Sequence, residues 1–129
     1  MTYTIKDVSE MFNLPISTIR YYDKEGFFPF LERKESGYRV FSENEIASLR
    51  VIECFKATGM SIKEIKHYFE LAAKGDSTLY ERYELILKQK KVLQDQMNEL
   101  QKQMEVIHHK EEYYQQAIAA GTEAIHKKN

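Results

Sequence analysis

The sequence predicts a mainly α-helical chain, in which a winged helix-turn-helix head precedes one long helix of a coiled coil. Three observations support this fold class. Capping boxes, in which a hydroxyl residue stands three positions before a carboxylate, mark the starts of several helices. Two short aromatic and aliphatic runs around a glycine turn predict a β-hairpin, the wing. The C-terminal part carries an apolar repeat with alternating steps of four and three residues.

Local signals place the helices of the head. Helices are expected over about 5–12, 16–25, 43–58 and 62–74, and a long helix from about 78 onward. Glycine tolerates positive φ, so the glycines between these segments fit positions just past helix ends. The capping boxes are Ser42-x-x-Glu45, Ser61-x-x-Glu64 and Thr78-x-x-Glu81, with Thr4-x-x-Asp7 as a weaker version.

The pattern changes between residues 27 and 41. Pro29 blocks a helix in the Phe-Phe-Pro-Phe segment at 27–30. The runs at 31–33 and 38–41 flank Lys34-Glu35-Ser36-Gly37, which predicts a hairpin with a four-residue loop.

The first two helices form the expected DNA-reading part of the head. The turn Asn13-Leu14-Pro15 separates them, and the second is the expected recognition helix. Ser17, Arg20, Tyr21 and Lys24 lie three or four residues apart, hence on one face, and such groups bind phosphates and base edges. An ordinary solvated helix face would look the same, but basic and aromatic side chains follow on the hairpin. The expected core of this segment is Ile5, Val8, Phe12, Leu14, Ile19 and Tyr22.

The long helix is expected to pair with another helix. Its repeat consists of Leu79, Tyr83, Ile86, Lys90, Leu93, Met97, Leu100, Met104, Ile107, Glu111 and Tyr114, of which nine are apolar. Gly and Pro are absent from 76–120, so the helix is uninterrupted and offers no turn for an intramolecular hairpin. A lone helix would leave this seam in water, so a second copy of the chain is the simplest partner. The heptads alone leave the orientation of the two helices open.

Composition excludes several classes. The 129 residues carry 19 Lys and Arg against 20 Asp and Glu, so this is not a globally basic protein that coats nucleic acid. A single cysteine excludes an internal disulfide and a Cys-rich zinc ribbon, and no metal or cofactor is expected. The apolar runs are far shorter than the ~20 residues that span a bilayer, and no signal sequence begins the chain. A soluble cytoplasmic protein without membrane association is expected.

Specific motifs then follow one another in register. They are Thr18-Ile19-Arg20-Tyr21-Tyr22-Asp23-x-x-Gly26, Arg33-x-x-x-Gly37-Tyr38-Arg39-x-Phe41, Ile46, and Gly59-Met60-Ser61-Ile62-x-Glu64-Ile65. This set, over residues 3 to about 75, resembles the MerR family of bacterial transcription regulators. The resemblance implies a homodimer joined by an antiparallel coiled coil, bound to an inverted repeat of double-stranded DNA in a promoter spacer. Such dimers bend and untwist the spacer, so that RNA polymerase meets both promoter elements on one face.

The resemblance also implies residue roles and a division of the chain. The expected contacts to DNA lie on the recognition helix, on the wing and at the start of the fourth helix. They are Ser17, Thr18, Arg20, Tyr21 and Lys24, then Arg33, Lys34, Tyr38 and Arg39, and finally Ser61 and Lys63. The dimerisation residues come from the apolar repeat of the long helix and are Leu79, Tyr83, Ile86, Leu93, Met97, Leu100, Met104 and Ile107. The expected parts are a DNA-binding head (1–75), a dimerisation helix (76–112) and a short tail helix (113–129). The chain departs from the family at Pro15, which supplies no capping hydroxyl.

The signal is the open question in the sequence. About 17 residues follow Glu112, too few for a separate effector domain. Cys54 is the candidate sensor, because its position resembles the lone cysteine of the short, aldehyde- and electrophile-responsive members of the family. Arg50 lies one turn before it and Lys56 is near, which would favour a thiolate. A small buried side chain without reactivity is the alternative.

Other function classes fit less well. The sequence has no P-loop, no dinucleotide-binding turn and no catalytic constellation, so an enzyme is not expected. An architectural DNA-bending protein of the excisionase type shares the winged helix but not the long dimerisation helix. A coiled-coil scaffold explains residues 78–114 and leaves the recognition helix and wing without a role.

Overall fold

The computed structural model describes residues 1–35 and 37–127, and it confirms the mainly α-helical class with a winged helix-turn-helix head. The chain divides into two compact units, residues 1–89 and 90–129, which are described in turn. The elements are α1 (Ile5–Phe12), α2 (Ile16–Lys24), β1 (Glu32–Arg33), β2 (Arg39–Val40), α3 (Glu43–Ala57), α4 (Ile62–Ala73) and α5 (Leu79–Ala120), with short 3-10 helices at Asp76–Thr78 and Glu123–His126.

Three of the four expected capping boxes are confirmed. The hydroxyls of Thr4, Ser42 and Ser61 each accept a hydrogen bond from a backbone amide in the first turn. The carboxylate three residues later accepts a hydrogen bond from the backbone amide of the capping residue. These contacts satisfy amide donors that a helix start otherwise leaves unpaired, so α1, α3 and α4 begin where the sequence predicts.

The turn between α1 and α2 is built from its own residues. Asn13 adopts a left-handed conformation with φ 52°, which Asn tolerates better than most residues. The amide of Leu14 donates to the carbonyl of Ser9 at 3.1 Å, and the Ser9 hydroxyl donates to the carbonyl of Leu14. Pro15 stands at the N-cap of α2 without a side-chain cap, yet the helix begins at Ile16 as predicted.

The wing is a two-stranded antiparallel sheet, as predicted. Glu32 pairs with Val40 and Arg33 with Arg39. The sequence did not predict the next pairing: Tyr3 and Phe41 exchange backbone hydrogen bonds of 2.8 and 2.9 Å. The N-terminal segment is therefore attached to the end of the wing. Ser36, in the predicted hairpin loop, lies outside the described residues.

One apolar core joins α1–α4 and the wing. Its best-buried members come from the four helices α1–α4 and from the segments just before and just after the wing, so the recognition helix sits on a packed base. They are Val8, Ile19, Tyr22, Phe27, Phe28, Phe41, Ile46, Leu49, Ile52, Phe55 and Ile65. Of the expected core residues, Ile5, Phe12 and Leu14 are only partly buried and pack against this cluster.

The junction between α4 and α5 differs from the expectation. Thr78 ends a 3-10 turn instead of capping the long helix, and its hydroxyl lies 2.6 Å from the carbonyl of Leu71. The side chain of Arg82 donates to Thr78 Oγ1 and to the carbonyl of Gly75 at 3.0 Å each. Thr78 therefore fixes the corner by contacts back to α4, which the local capping pattern could not indicate.

In the second unit, α5 continues to Ala120, past residue 112 where the sequence analysis ended it. Residues 113–120 contain no Gly or Pro, so nothing interrupts the helix before Gly121. The amides of Gly121 and Thr122 donate to the carbonyls of Ile118 and Ala117, the Schellman pattern of a glycine C-cap. Of the expected tail helix, only the single turn Glu123–His126 is separate, and Lys128 and Asn129 lie outside the described residues.

That turn folds back on α5. The imidazole of His126 stacks on the ring of Tyr113, with centroids 4.0 Å apart and planes 21° apart, and its Nε2 lies 3.0 Å from the carbonyl oxygen of Tyr113. Ala117, one turn after Tyr113, is buried, and its carbonyl accepts the amide of Thr122 just before this turn. The tail thus covers the last turns of its own helix.

Candidate nucleic-acid interface

Helix α2 turns a polar face outward. Ile19 and Tyr22 are buried in the core, which fixes the rotation of the helix about its axis. Thr18 is half-buried. The side chains expected to read DNA are exposed, namely Ser17, Arg20, Tyr21 and Lys24.

Asp23 ties this helix to the wing. One oxygen, Oδ2, accepts a hydrogen bond from the guanidinium of Arg33 at 2.6 Å and another from Arg39 Nε at 2.7 Å. The carboxylate is only 7% exposed, whereas Arg33 and Arg39 are 48% and 24% exposed. The structure thus brings α2 and both wing arginines together, while Lys34 and Tyr38 remain exposed at the outer part of the hairpin. Sequence reasoning missed Asp23, although it follows the Tyr-Tyr pair directly.

A second network anchors α2 to α3. The hydroxyl of Tyr22 donates to Glu53 Oε2 at 3.0 Å and accepts from Lys56 Nζ at 2.6 Å. Burial raises the pKa of Tyr22 above its ordinary value, and the hydrogen bond to Tyr22 raises the pKa of Lys56. Both groups therefore stay protonated at neutral pH and keep the network intact.

The start of α4 carries the last two expected DNA contacts. The Ser61 hydroxyl is used for capping: it accepts from the Glu64 amide at 3.1 Å and donates to Glu64 Oε1 at 3.0 Å. The Ser61 amide also donates to Glu64 Oε1, at 3.2 Å. The bonds from the Ser61 amide and hydroxyl stabilise the carboxylate and lower the pKa of Glu64. Lys63 is exposed. Among the described residues, no hydrogen bond or ion pair joins Ser61 or Lys63 to α2 or the wing.

Cys54 lies on α3 and is exposed, so it does not fill the core as a small apolar side chain. Its neighbours Glu53 and Lys56 point their charged groups at Tyr22, so the Lys56 ammonium already has the Tyr22 hydroxyl and the Glu53 carboxylate as partners. The described residues contain no group of three or more potential ligands for a metal ion.

The seam of α5 forms an exposed apolar stripe. Its side chains are between 40% and 71% exposed in the single chain, and the helix would extend about 60 Å at ~1.5 Å per residue. The residues of the stripe are Leu79, Tyr83, Ile86, Leu93, Met97, Leu100, Met104 and Ile107. None of the described helices combines the length and apolar composition needed to cross a membrane.

Comparison with known proteins assigns the chain to a protein family. The model of the MerR HTH family regulatory protein matches residues 3–72, and a second model, MerR, DNA binding, matches residues 46–109. The chain belongs to the MerR family. It is a DNA-binding transcription regulator, and the related proteins are regulators rather than enzymes.

Relatives match this MerR-family chain over most of its length. An uncharacterised HTH-type transcriptional regulator of Haemophilus influenzae is 38% identical over 122 residues, which are 95% of this chain and 90% of that protein. The HTH-type transcriptional regulator AdhR of Bacillus subtilis is 34% identical over 64% of this chain and 59% of its own length.

Solved structures of MerR family regulators are similar to this chain. The chain is similar to HiNmlR, a MerR family regulator lacking the sensor domain that was crystallised bound to promoter DNA. The TM-score is 0.83 at 37% identity, over 97% of this chain and 99% of that one. A MerR family regulator from Bacillus thuringiensis matches with a TM-score of 0.75 at 42% identity, over 85% and 96% of the two chains.

Proposed function

We propose that this regulator acts as a homodimer that binds an inverted repeat in a promoter and bends and untwists the spacer for RNA polymerase. The observation that carries the proposal is the single unit formed by α2 and the wing. Asp23 holds Arg33 and Arg39 beside a helix whose outer face presents Arg20 and Tyr21. Guanidinium and phenol groups suit phosphates and base edges, so this unit supports one half-site of recognition. HiNmlR, to which the chain is similar, was solved on promoter DNA.

The exposed stripe on α5 supports the dimer. Eight large side chains recur at coiled-coil spacing along one face of a 42-residue helix. Pairing the stripe with that of a second copy removes it from water and brings two heads into one molecule. An inverted repeat matches such two-fold symmetry.

Two heads are also required by the cost of the mechanism. Bending a site of 20–30 base pairs costs on the order of 1–6 kcal/mol in elastic estimates. Contacts at both half-sites supply more binding energy than contacts at one, so they offset that cost and leave more for specificity. Dimerisation is thus part of the proposed mechanism.

The test separates the dimer from the fold of the head. The double substitution Leu93→Asp with Leu100→Asp places charges in the stripe, and we expect a monomer in analytical ultracentrifugation without sequence-specific DNA binding in a gel shift. The DNA probe comes from sequencing the fragments that co-purify with the protein. Tight, specific binding by the monomeric variant would refute the proposal.

The matched control is Val92→Asp with Val106→Asp. These valines are exposed on the same helix but lie outside the four-and-three repeat. The control introduces the same charges, and we expect it to remain dimeric and to bind DNA. Bending is then measured by energy transfer between dyes at the two ends of the operator, and activation by transcription in vitro with RNA polymerase.

For the signal, we propose that Cys54 responds to a reactive small molecule such as an aldehyde or a quinone. The thiolate would add to the carbonyl carbon of the aldehyde, and the oxygen would take up a proton. The exposure of Cys54 supports access of such a molecule. Target-promoter expression is compared for wild type and Cys54→Ser with and without formaldehyde. The variant is expected to lose the response, and an unchanged response would exclude the cysteine as the sensor.

A further inference from the structure

A cavity of about 380 Å³ lies between the first turns of α4 and residues 85–89 of α5, within the unit formed by residues 1–89. Met60 and Leu85 are its half-buried apolar members. Its volume falls within the ~300–1,000 Å³ of small-molecule pockets, and an apolar wall with a few polar groups is their usual composition.

The polar groups of the cavity favour an anion. Lys63 and His67 come from α4, and Lys88 comes from α5, so cationic groups stand on both helices. The one carboxylate that lines it is Glu64, whose Oε1 is held by the Ser61 amide at 3.2 Å and the Ser61 hydroxyl at 3.0 Å. The two ammonium groups of Lys63 and Lys88 and the one carboxylate of Glu64 leave one positive charge in excess, without counting His67.

The cavity lies on a different side of α5 from the coiled-coil seam. Successive residues of an α-helix are about 100° apart, so Leu85 lies about 100° and Lys88 about 160° around the helix from Ile86. Gln89, which also lines the cavity, is turned towards the head, where its amide donates to Thr58 Oγ1 at 2.6 Å. Gln89 lies about 60° from Ile86, so the seam runs beside the cavity at Gln89, while Leu85 and Lys88 face away from the seam.

From this combination we infer a binding site for a small apolar monocarboxylate, of the size of a bicyclic aromatic acid. Its rings contact Met60 and Leu85, and its carboxylate lies between Lys63 and Lys88. The site does not depend on Cys54 or on dimerisation, but it shares Lys63 with the expected DNA contacts at the start of α4.

The experiment follows the histidines of the full-length protein by NMR while 2-naphthoate is added. The chain has four histidines, and only His67 lines the cavity. The ring signals of His67 are expected to shift saturably, while those of His108, His109 and His126 stay in place. 2-Naphthamide has the same rings without the charge, and we expect it to bind at least about fivefold more weakly, the factor one screened charge contact supplies.

Variants test the charge directly. Lys88→Gln changes an exposed side chain and is expected to weaken 2-naphthoate binding by about fivefold. The matched control is Lys91→Gln, which removes the same charge three residues further along the helix, where Lys91 pairs with Asp95 instead. It is expected to bind like wild type.

Three results would overturn the inference. They are no shift of His67 at millimolar 2-naphthoate, equal affinity for the acid and the amide, or equal shifts of all four histidines. Loss of DNA binding in the seam variant, by contrast, leaves the naphthoate titration unchanged, so the two proposals fail separately.

Discussion

Replacing Asp23 by Asn removes the charge that holds both wing arginines against the recognition helix. Asn keeps the size of the side chain and one oxygen acceptor, so the core beneath it is not disturbed. What changes is a pair of charge-assisted hydrogen bonds of 2.6 and 2.7 Å to one carboxylate oxygen. The substitution therefore tests the connection between the wing and the recognition helix without disrupting the packing of the core.

The magnitude follows from burial. A hydrogen bond to a charged group contributes about 1.5–3 kcal/mol when it is shielded. Here the carboxylate is buried, but Arg33 is 48% exposed and water screens it, as at other surface ion pairs. With one acceptor retained, we expect the free energy of unfolding to fall by about 1–2 kcal/mol in total. Each 1 kcal/mol lowers Tm by about 4–8 °C in a unit of this size, so calorimetry resolves the change.

The effect on DNA binding has two opposite parts. Loss of a negative charge strengthens non-specific attraction to phosphates, while a wing that is no longer held weakens recognition of the operator. We therefore expect the ratio of operator to scrambled-DNA affinity to fall, and the dependence of affinity on salt to steepen. Fluorescence anisotropy over a salt series measures both quantities.

The control for charge alone is Glu25→Gln. Glu25 lies two residues from Asp23 and forms a 3.5 Å pair with Lys66 of α4, not with the wing. It should change the salt dependence in the same direction and leave the specificity ratio near wild type. If Asp23→Asn keeps the wild-type Tm and specificity ratio, the proposed role of Asp23 is wrong.

Two further predictions concern the base of the head. The pKa values of Tyr22 and Lys56 are raised above 10.0 and 10.5, so the stability that both contribute is complete at neutral pH and lost as pH rises through the raised values. Urea denaturation between neutral pH and pH 11 should show this alkaline loss in wild type and a shallower one in Tyr22→Phe; parallel curves would contradict it. Ser61→Ala should cost about 1 kcal/mol of stability through loss of the N-cap. Its pKa signature is a rise of the Glu64 pKa towards the ordinary value in an NMR titration, and an unchanged Glu64 pKa would refute the capping role.

The elements that the sequence predicted best are those set by contacts close in the chain. Ser42 and Ser61 cap helices through partners two or three residues away, so the helix starts could be read directly. The hairpin could be predicted for the same reason, since Pro29 excludes a helix and the glycine turn is local. Thr78 shows the limit, because the partner that decides its role, the carbonyl of Leu71, lies seven residues back on another helix.

The candidate site was predicted less completely, because its organising contacts are tertiary. The expected DNA-reading residues on α2 are exposed, as a solvated or DNA-binding face requires. The groups that hold them are 10 to 34 residues distant in sequence: Arg33 and Arg39 from Asp23, and Glu53 and Lys56 from Tyr22. No periodicity connects residues so far apart, and an Asp beside a Tyr pair carries no local signal of a double ion pair.

The contacts of Asp23 also lower the net positive charge that the wing presents to DNA. Arg33 and Arg39 were predicted as phosphate contacts from their place on the wing and the resemblance to MerR wing residues, yet Asp23 neutralises one of the two charges. A guanidinium has five N–H donors, and each arginine uses one nitrogen on Asp23. Among the described residues the other guanidinium donors bond no side chain, so binding to Asp23 orients the arginines and leaves those donors for a phosphate. A net charge of −1 for the whole chain is thus compatible with DNA recognition, because a buried carboxylate sets the direction of the arginines instead of opposing them.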